Sequence, residues 1–466
     1  MVAYSTSLFI FRRDLRIHDN TGLHEAMRLS GQVIPCFIFD PRQIEPHPYQ
    51  SKPGLQFMLQ AINNLQQQLQ SAGGKLALYH ALPEQVITQL AESQRIEAVF
   101  INRDYTPFSR RRDIALAAVC QQLGLALHTL PDSLLNEPES AVKNDKSPYK
   151  VFTAFYNNAR QFPVAMPQTL VDQRFLSVGT GFTLNQLGLS PTEITSNGGR
   201  HQALAILDRL GDCADYQNTR DFPALDATSK LSAHLKFGTC SVREAYYAVT
   251  EQLGSDHPLI RQLYWRDFFT HIAYHFPQVF GRAFLDKFAD LHWDNNPDYF
   301  QAWCEGKTGF PIVDAGMREL NATGFMHNRV RMIVASFLIK DLHIDWRWGE
   351  RYFAQHLVDY DPCINNGNWQ WAASIGCDAQ PYFRIFNPWL QQLKFDSDCR
   401  YIHHWLPELQ AFPPKTLHQW DKKHRACNYP APIIDHACES RLAKARFKEA
   451  IITQQSTGLR NEHEIT

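Results

Sequence analysis

GLQFMLQAINNLQQQLQ, Gly54 to Gln70, lies between two short apolar runs, VIPCFIFD (33–40) and KLALYH (75–80). Within it Leu55, Met58, Leu59, Ile62, Leu65 and Leu69 recur at helical spacing, which predicts an amphipathic helix. The flanking runs, rich in branched and aromatic residues, predict strands. The same pattern continues on both sides, with SLFIF (7–11), EAVFIN (97–102) and LALHTL (125–130) separated by further helix-like stretches. Strand–helix–strand repetition implies a doubly wound parallel sheet with helices on both faces, an α/β domain over residues 1–131. No GxGxxG follows the first strand, so that dinucleotide fingerprint is absent there.

Beyond the sheet the pattern changes. LNEPESAVKNDKSPYK (135–150) is rich in Pro, Ser, Asn and charge, and residues 132–200 read as a connector with one short helix expected in KVFTAFYNNARQF (150–162). From 201 to 466 the strand signal is lost. HQALAILDRL, REAYYAVTEQL and NRVRMIVASFLIKDL read as helices, and nine of the ten tryptophans fall between Trp265 and Trp405. An all-α second domain follows.

The bulk numbers fit this division. A chain of 466 residues, 44% apolar and 20% charged, is expected to fold as two or three units without staples. A formal charge of −1 confines any nucleic-acid site to a local basic patch. The ten cysteines include no CxxC pair, which counts against a structural metal or a disulfide framework and for a reducing, cytoplasmic setting. The N-terminus MVAYSTSLFIFRRDLR breaks into charge too early for a signal peptide, and no run is apolar enough to span a membrane.

Four constellations could carry chemistry. In TSKLSAHLKFG (228–238), Thr228, Ser229 and Ser232 stand at the start of an expected helix, where hydroxyls and unpaired N–H groups bind phosphate; an ordinary N-cap is the alternative. In QLYWRDFF (262–269), Gln262, Trp265 and Arg266 share one helical face, suited to stacking on a base and pairing with its edge or phosphate; a core Trp beside a surface ion pair is the alternative. In MHNRVRMIVASF (326–337), Asn328 with Arg331 and Arg329 with Met332 form adjoining stripes. A buried Arg331 would need a carboxylate, with Asp359 or Asp361 of DYDPCINNGNWQWAAS (359–374) as candidates. Trp293, Trp346 and Trp369 sit in separate segments, and packing alone accounts for most tryptophans.

RRDLRIHDN, TSKLSAHLKFG, YWRDFF, TGFMHNRVRMIVASFLIKDL, IDWRWGERYF, NNGNWQW and FRIFNP occur in that order, from about Leu8 to beyond Leu406. Together they resemble the photolyase/cryptochrome family, in particular class I photolyases for cyclobutane pyrimidine dimers. The resemblance implies an α/β antenna domain, a connector and a helical domain holding FAD. Tyr216, Thr228, Ser229, Lys230, Leu231 and Ser232 match its flavin phosphate and ribityl contacts. Asp359, Tyr360 and Asp361 match the flavin edge, with Arg331 paired to Asp359, and Asn365 matches the asparagine facing flavin N5. Trp369, Trp346 and Trp293 match an electron-transfer triad. Arg220, Gln262, Trp265, Arg266, Asn328, Arg329, Met332, Trp371, Arg384 and Gln391 match the face that takes damaged DNA, with Trp265 and Trp371 cradling a flipped dimer.

The implied reaction is light-driven electron transfer from reduced FAD, which splits the dimer. The chain departs from class I enzymes at Gln262, where they carry a glutamate: an amide donates but cannot give up a proton in the same way. An antenna chromophore of the deazaflavin, flavin or folate class is also implied. Phe108-Ser109, standing where folate-binding relatives carry Asn-Glu, counts against folate. A monomer is expected. A cryptochrome, either a single-strand repair enzyme of the DASH type or a blue-light signalling flavoprotein, is the alternative.

Overall fold

A computed structural model describes residues 2–170, 173–179, 182–187, 198–423 and 428–463. The chain forms two compact units. The first comprises Met1–Ala214, Ser229–Pro277 and Val358–Asp361, and the second Asp215–Thr228, Gln278–Leu357 and Pro362–Thr466. These units do not follow the borders expected at 131 and 200. The first takes in the connector, parts of which (171–172, 180–181 and 188–197) lie outside the described residues, and two stretches of the helical region.

Five parallel strands build the first unit: β1 (Tyr4–Phe11), β2 (Ser30–Phe39), β3 (Ala77–His80), β4 (Ala98–Asn102) and β5 (Ala126–Leu130), in the order β3-β2-β1-β4-β5. Side-chain alternation splits them by chemistry. Phe9, Phe11, Phe37, Phe39 and Phe100 enter one core, whereas Leu8, Ile10, Ile34, Cys36, Ile38, Val99 and Ile101 enter the other. A sheet covered on both faces gains about 2 kcal/mol for each such side chain, on whichever face it falls, so its strands read as unbroken apolar runs. β1 and β2 begin earlier than the apolar runs do, because Tyr4 pairs with Ser30 through the backbone, a bond that hydropathy does not record.

The helix predicted from the opening stretch spans Lys52–Ser71, capped by the Ser51 hydroxyl with Pro53 in its first turn. Its buried face is centred on Phe57, Leu59, Ile62, Leu65 and Leu69, and Leu55 and Met58 are only half-buried. The expected connector helix spans Phe152–Ala159, and among the described residues no strand follows β5.

The second unit is helical. Pro297–Glu305, Pro311–Thr323, Asn328–Lys340, Trp346–His356, Pro362–Ala373, Pro388–Phe395 and His436–His463 are its longer elements. Proline opens several of them, and Gly306 and Gly324 end two in the left-handed conformation. Gly349 sits where a Cβ would overlap the Trp369 ring, so glycine is what lets Trp346–His356 lie so close to Pro362–Ala373. The C-terminal helix, His436–His463, packs Phe447 flat against Tyr382 (5.9 Å, 2°) and pairs Arg446 with Asp294 at 2.9 Å.

Candidate flavin and nucleic-acid residues

In the first unit, Ser232 opens a six-residue helix, Ser232–Phe237, and Leu231 occupies its cap position with no side-chain bond to the first turn. Ser229 precedes that helix, half-buried, so the ordinary N-cap alternative is not what these hydroxyls form. Lys230 adopts a left-handed φ of 53° and is exposed. Uncapped N–H groups beside hydroxyls suit an anionic group such as a flavin diphosphate.

Asp361 is buried and ion-paired to Arg13. Arg13 also reaches Asp104 at 3.3 Å and donates from Nε to the Lys236 carbonyl at 3.3 Å. Burial raises the Asp104 carboxyl, but Arg13, Arg112 and Arg12 outweigh it and hold the group well below its usual range. Arg13 stands in the motif RRDLRIHDN, which by itself gives it no role. The available signal was its place just after β1, at the C-terminal edge of the sheet where ligands of doubly wound folds gather. Asp359 and Tyr360 are half-buried beside Asp361.

Gln262, Trp265 and Arg266 lie half-buried on the helix Pro258–His275. Trp265 stacks face to face on Phe152, with ring centroids 3.6 Å apart and planes within 5°. Arg266 turns away from the role expected for it. It donates to the Ser133 carbonyl and lies 3.5 Å from Asp267. Asp267 is fully buried and accepts from the N–H groups of Leu135 and Asn136 at 2.8 and 3.1 Å. Burial pushes its carboxyl up to about 7 against those donors and Arg266.

In the second unit, Asn365 is buried on Pro362–Ala373 and its Nδ2 donates to the Glu350 carbonyl at 3.0 Å. The remaining Oδ1 end is the one that could accept from a flavin N–H. Two other polar side chains of that helix hold the backbone packed against it. Asn366 and Gln370 both donate to the Val279 carbonyl (3.1 and 2.8 Å), and Gln370 also donates to Arg282. Trp369 is 2% exposed and meets Phe353 edge-on at 4.9 Å. Trp346 is buried at the head of its helix and Trp293 is half-buried. Trp303, not singled out in the sequence, is fully buried 6.3 Å from Trp369, with its indole N–H on the Val334 carbonyl at 3.0 Å.

On Asn328–Lys340, Asn328 is exposed with its amide 3.8 Å from the Met332 sulfur, and Arg329 pairs with Asp221 at 2.8 Å while lying over the Phe395 ring. Arg331 is half-buried and donates from Nε to the Met326 carbonyl at 2.7 Å. His327 caps this helix by accepting from the Arg329 N–H at 3.2 Å. Burial pushes its imidazole down to about 4, which keeps it neutral and able to accept. Arg220 lies 5.8 Å over the half-buried Tyr216 ring, and Thr228 is half-buried further along the same stretch. Trp371 is half-buried and Arg384 exposed. Gln391 has a buried Oε1 without a hydrogen-bond partner among the described residues, the kind of orphan a ligand donor would satisfy.

Two family models match in order. DNA photolyase covers residues 7–170, and the FAD binding domain of DNA photolyase covers residues 259–449. The deoxyribodipyrimidine photo-lyases of Synechococcus sp. and Escherichia coli are 39% and 37% identical, over 95% and 93% of this chain and 96% of each relative. A crystal structure of an archaeal photolyase from Sulfolobus tokodaii with two FAD molecules superposes with a TM-score of 0.87 at 42% identity, over 95% of this chain and all of that one. A Synechocystis cryptochrome structure superposes with a TM-score of 0.85 at 30% identity, over 95% and 99% of the two chains. With both models in place and full-length relatives at this level of identity, the chain belongs to the DNA photolyase family.

Proposed function

We propose that the protein is a deoxyribodipyrimidine photo-lyase that splits cyclobutane pyrimidine dimers in damaged DNA under blue light. The observation that carries this reading is Asn365, a buried amide with its Nδ2 end committed to Glu350, at the position where repair enzymes are expected to face flavin N5. Full-length relatives bearing that name support it.

FAD, when bound and reduced, supplies the electron that light drives onto the dimer. The protein holds and orients. Ser229, Ser232 and Thr228, with Tyr216, would hold the phosphates and ribityl chain, and Asp359, Tyr360 and Asp361 the ring edge. Trp265 and Trp371 would stack on the extruded bases, and Asn328 and Gln262 would donate to their carbonyls. Arg220, Arg329 and Arg384 would meet phosphates, which reconciles a formal charge of −1 with DNA as partner. Trp369, Trp346 and Trp293 would relay electrons inward from the surface. The proposal includes a second chromophore of the deazaflavin, flavin or folate class, and the two FAD molecules of the Sulfolobus photolyase support a flavin. It also has the protein acting as a cytoplasmic monomer, which light scattering of the purified chain tests.

The deciding experiment uses protein reduced in the dark, then illuminated with single- and double-stranded oligonucleotides that each contain one thymine dimer. Loss of the dimer with turnover is expected. A yellow protein that leaves both substrates intact would overturn repair and favour a signalling cryptochrome.

A further inference from the structure

The helix Phe152–Ala159 lies in a segment that the sequence offers only as connector, yet its side chains form a stack with the helix Pro258–His275. Phe152 lies flat on Trp265. Tyr156 continues the series, 5.8 Å from Phe152 with planes 16° apart. The Arg261 guanidinium sits over both Phe152 (5.0 Å) and Tyr156 (5.1 Å), and Arg160 lies over Tyr156 at 5.2 Å. Phe268 meets Phe152 and Trp265 edge-on, each at 5.7 Å. Phe152 is 1% exposed, whereas Trp265 is only half-buried.

Such an arrangement constrains one ring in particular. A half-exposed tryptophan on a helix would ordinarily sample several rotamers, and a ligand that stacks on it must freeze one of them. With its plane held by a buried ring on the connector helix, and that ring held in turn by Phe268 and Arg261, Trp265 meets a base already oriented. We propose that Phe152 is a positioning residue for damage recognition: it fixes the plane of Trp265 for stacking on the flipped dimer, so selectivity for damaged DNA depends on a residue too buried to reach DNA itself. This rests on the reading of Trp265 as a lesion-stacking residue.

The test uses the full chain with FAD bound, in the dark, and measures affinity for a duplex containing one thymine dimer and for the same duplex undamaged. Phe152→Leu keeps an apolar side chain but removes the flat face, and is expected to weaken binding of the damaged duplex about two- to tenfold while leaving the undamaged duplex unchanged. Phe155→Leu is the control. Phe155 is equally buried in the same helix and packs on Phe268 and His271, so this variant should lose comparable thermal stability and keep wild-type selectivity. Where Phe152→Leu does not fold, Phe152→Met takes its place with the same expected loss. Trp265→Ala separates the two levels of the argument. If it leaves damaged-duplex affinity unchanged, the lesion-stacking reading falls. If it weakens that affinity while the Phe152 variants retain the wild-type ratio, or if Phe155→Leu shifts the ratio as much, the positioning role is overturned.

Discussion

Single residues in this protein are decided by what surrounds them. Asn365 donates to a buried carbonyl of the neighbouring helix, so Asn365→Ala removes that hydrogen bond. We expect a loss of about 0.5–1.5 kcal/mol in stability and faster dark reoxidation of the bound flavin, followed by absorbance; an unchanged lifetime would remove Asn365 from that role. Asp267 carries a sharper pH signature. Its carboxyl is raised to about 7 in the folded protein, against about 3.9 in an unfolded chain. The folded state therefore holds the extra proton between these values, and the contribution of this group to stability is full below about pH 4 and is lost as pH rises through about 7. Urea unfolding should show Asp267→Asn gaining on the wild type across that window, by up to about 1.4 kcal/mol per pH unit. A flat difference would mean the carboxylate is ionised throughout. Asp221 pairs with Arg329 at 2.8 Å. Asp221→Asn should release that guanidinium for DNA, and titrations over about 50–200 mM salt should show the log–log slope steepening by about one unit.

At the scale of elements, two helices are brought together by an absence. Gly349 leaves the space that the Trp369 ring enters, and Phe353 from the same helix meets that ring edge-on. Gly349→Ala should therefore cost about 1–3 kcal/mol by overpacking, read as a lower melting temperature, and should slow photoreduction of the oxidised protein by displacing Trp369. A variant that melts normally would show that the helices separate without penalty. The periodicity from Gly54 to Gln70 revealed a helix because amphipathic spacing survives in sequence, but it put Leu55 and Met58 on the inner face, where Phe57 is the buried residue. Apolar identity says which residues can be buried; the neighbouring strand phenylalanines determine which of them are. Likewise TSKLS was visible as a cluster of hydroxyls, but where its helix begins, at Ser232 behind an uncapped Leu231, depends on backbone geometry that composition does not carry.

For the whole molecule, two compact units arise from a chain that crosses between them more than once. That is why borders drawn at 131 and 200 from changes in pattern did not match the units. Linear reading finds where local periodicity changes, whereas compact units form wherever buried surface is shared. The sequence by itself determined the alternating strands and helices, the helical second half and the ordered motifs of the photolyase family, because periodicity and motif spacing are local and chemically specific. Tertiary structure alone decided that Arg13 meets Asp361, that Arg266 binds the Ser133 carbonyl, that Trp303 lies near Trp369 and that Phe152 backs Trp265. Each joins residues at least 66 positions apart, and a single sequence holds no record of which distant side chains the packing of a core will press together.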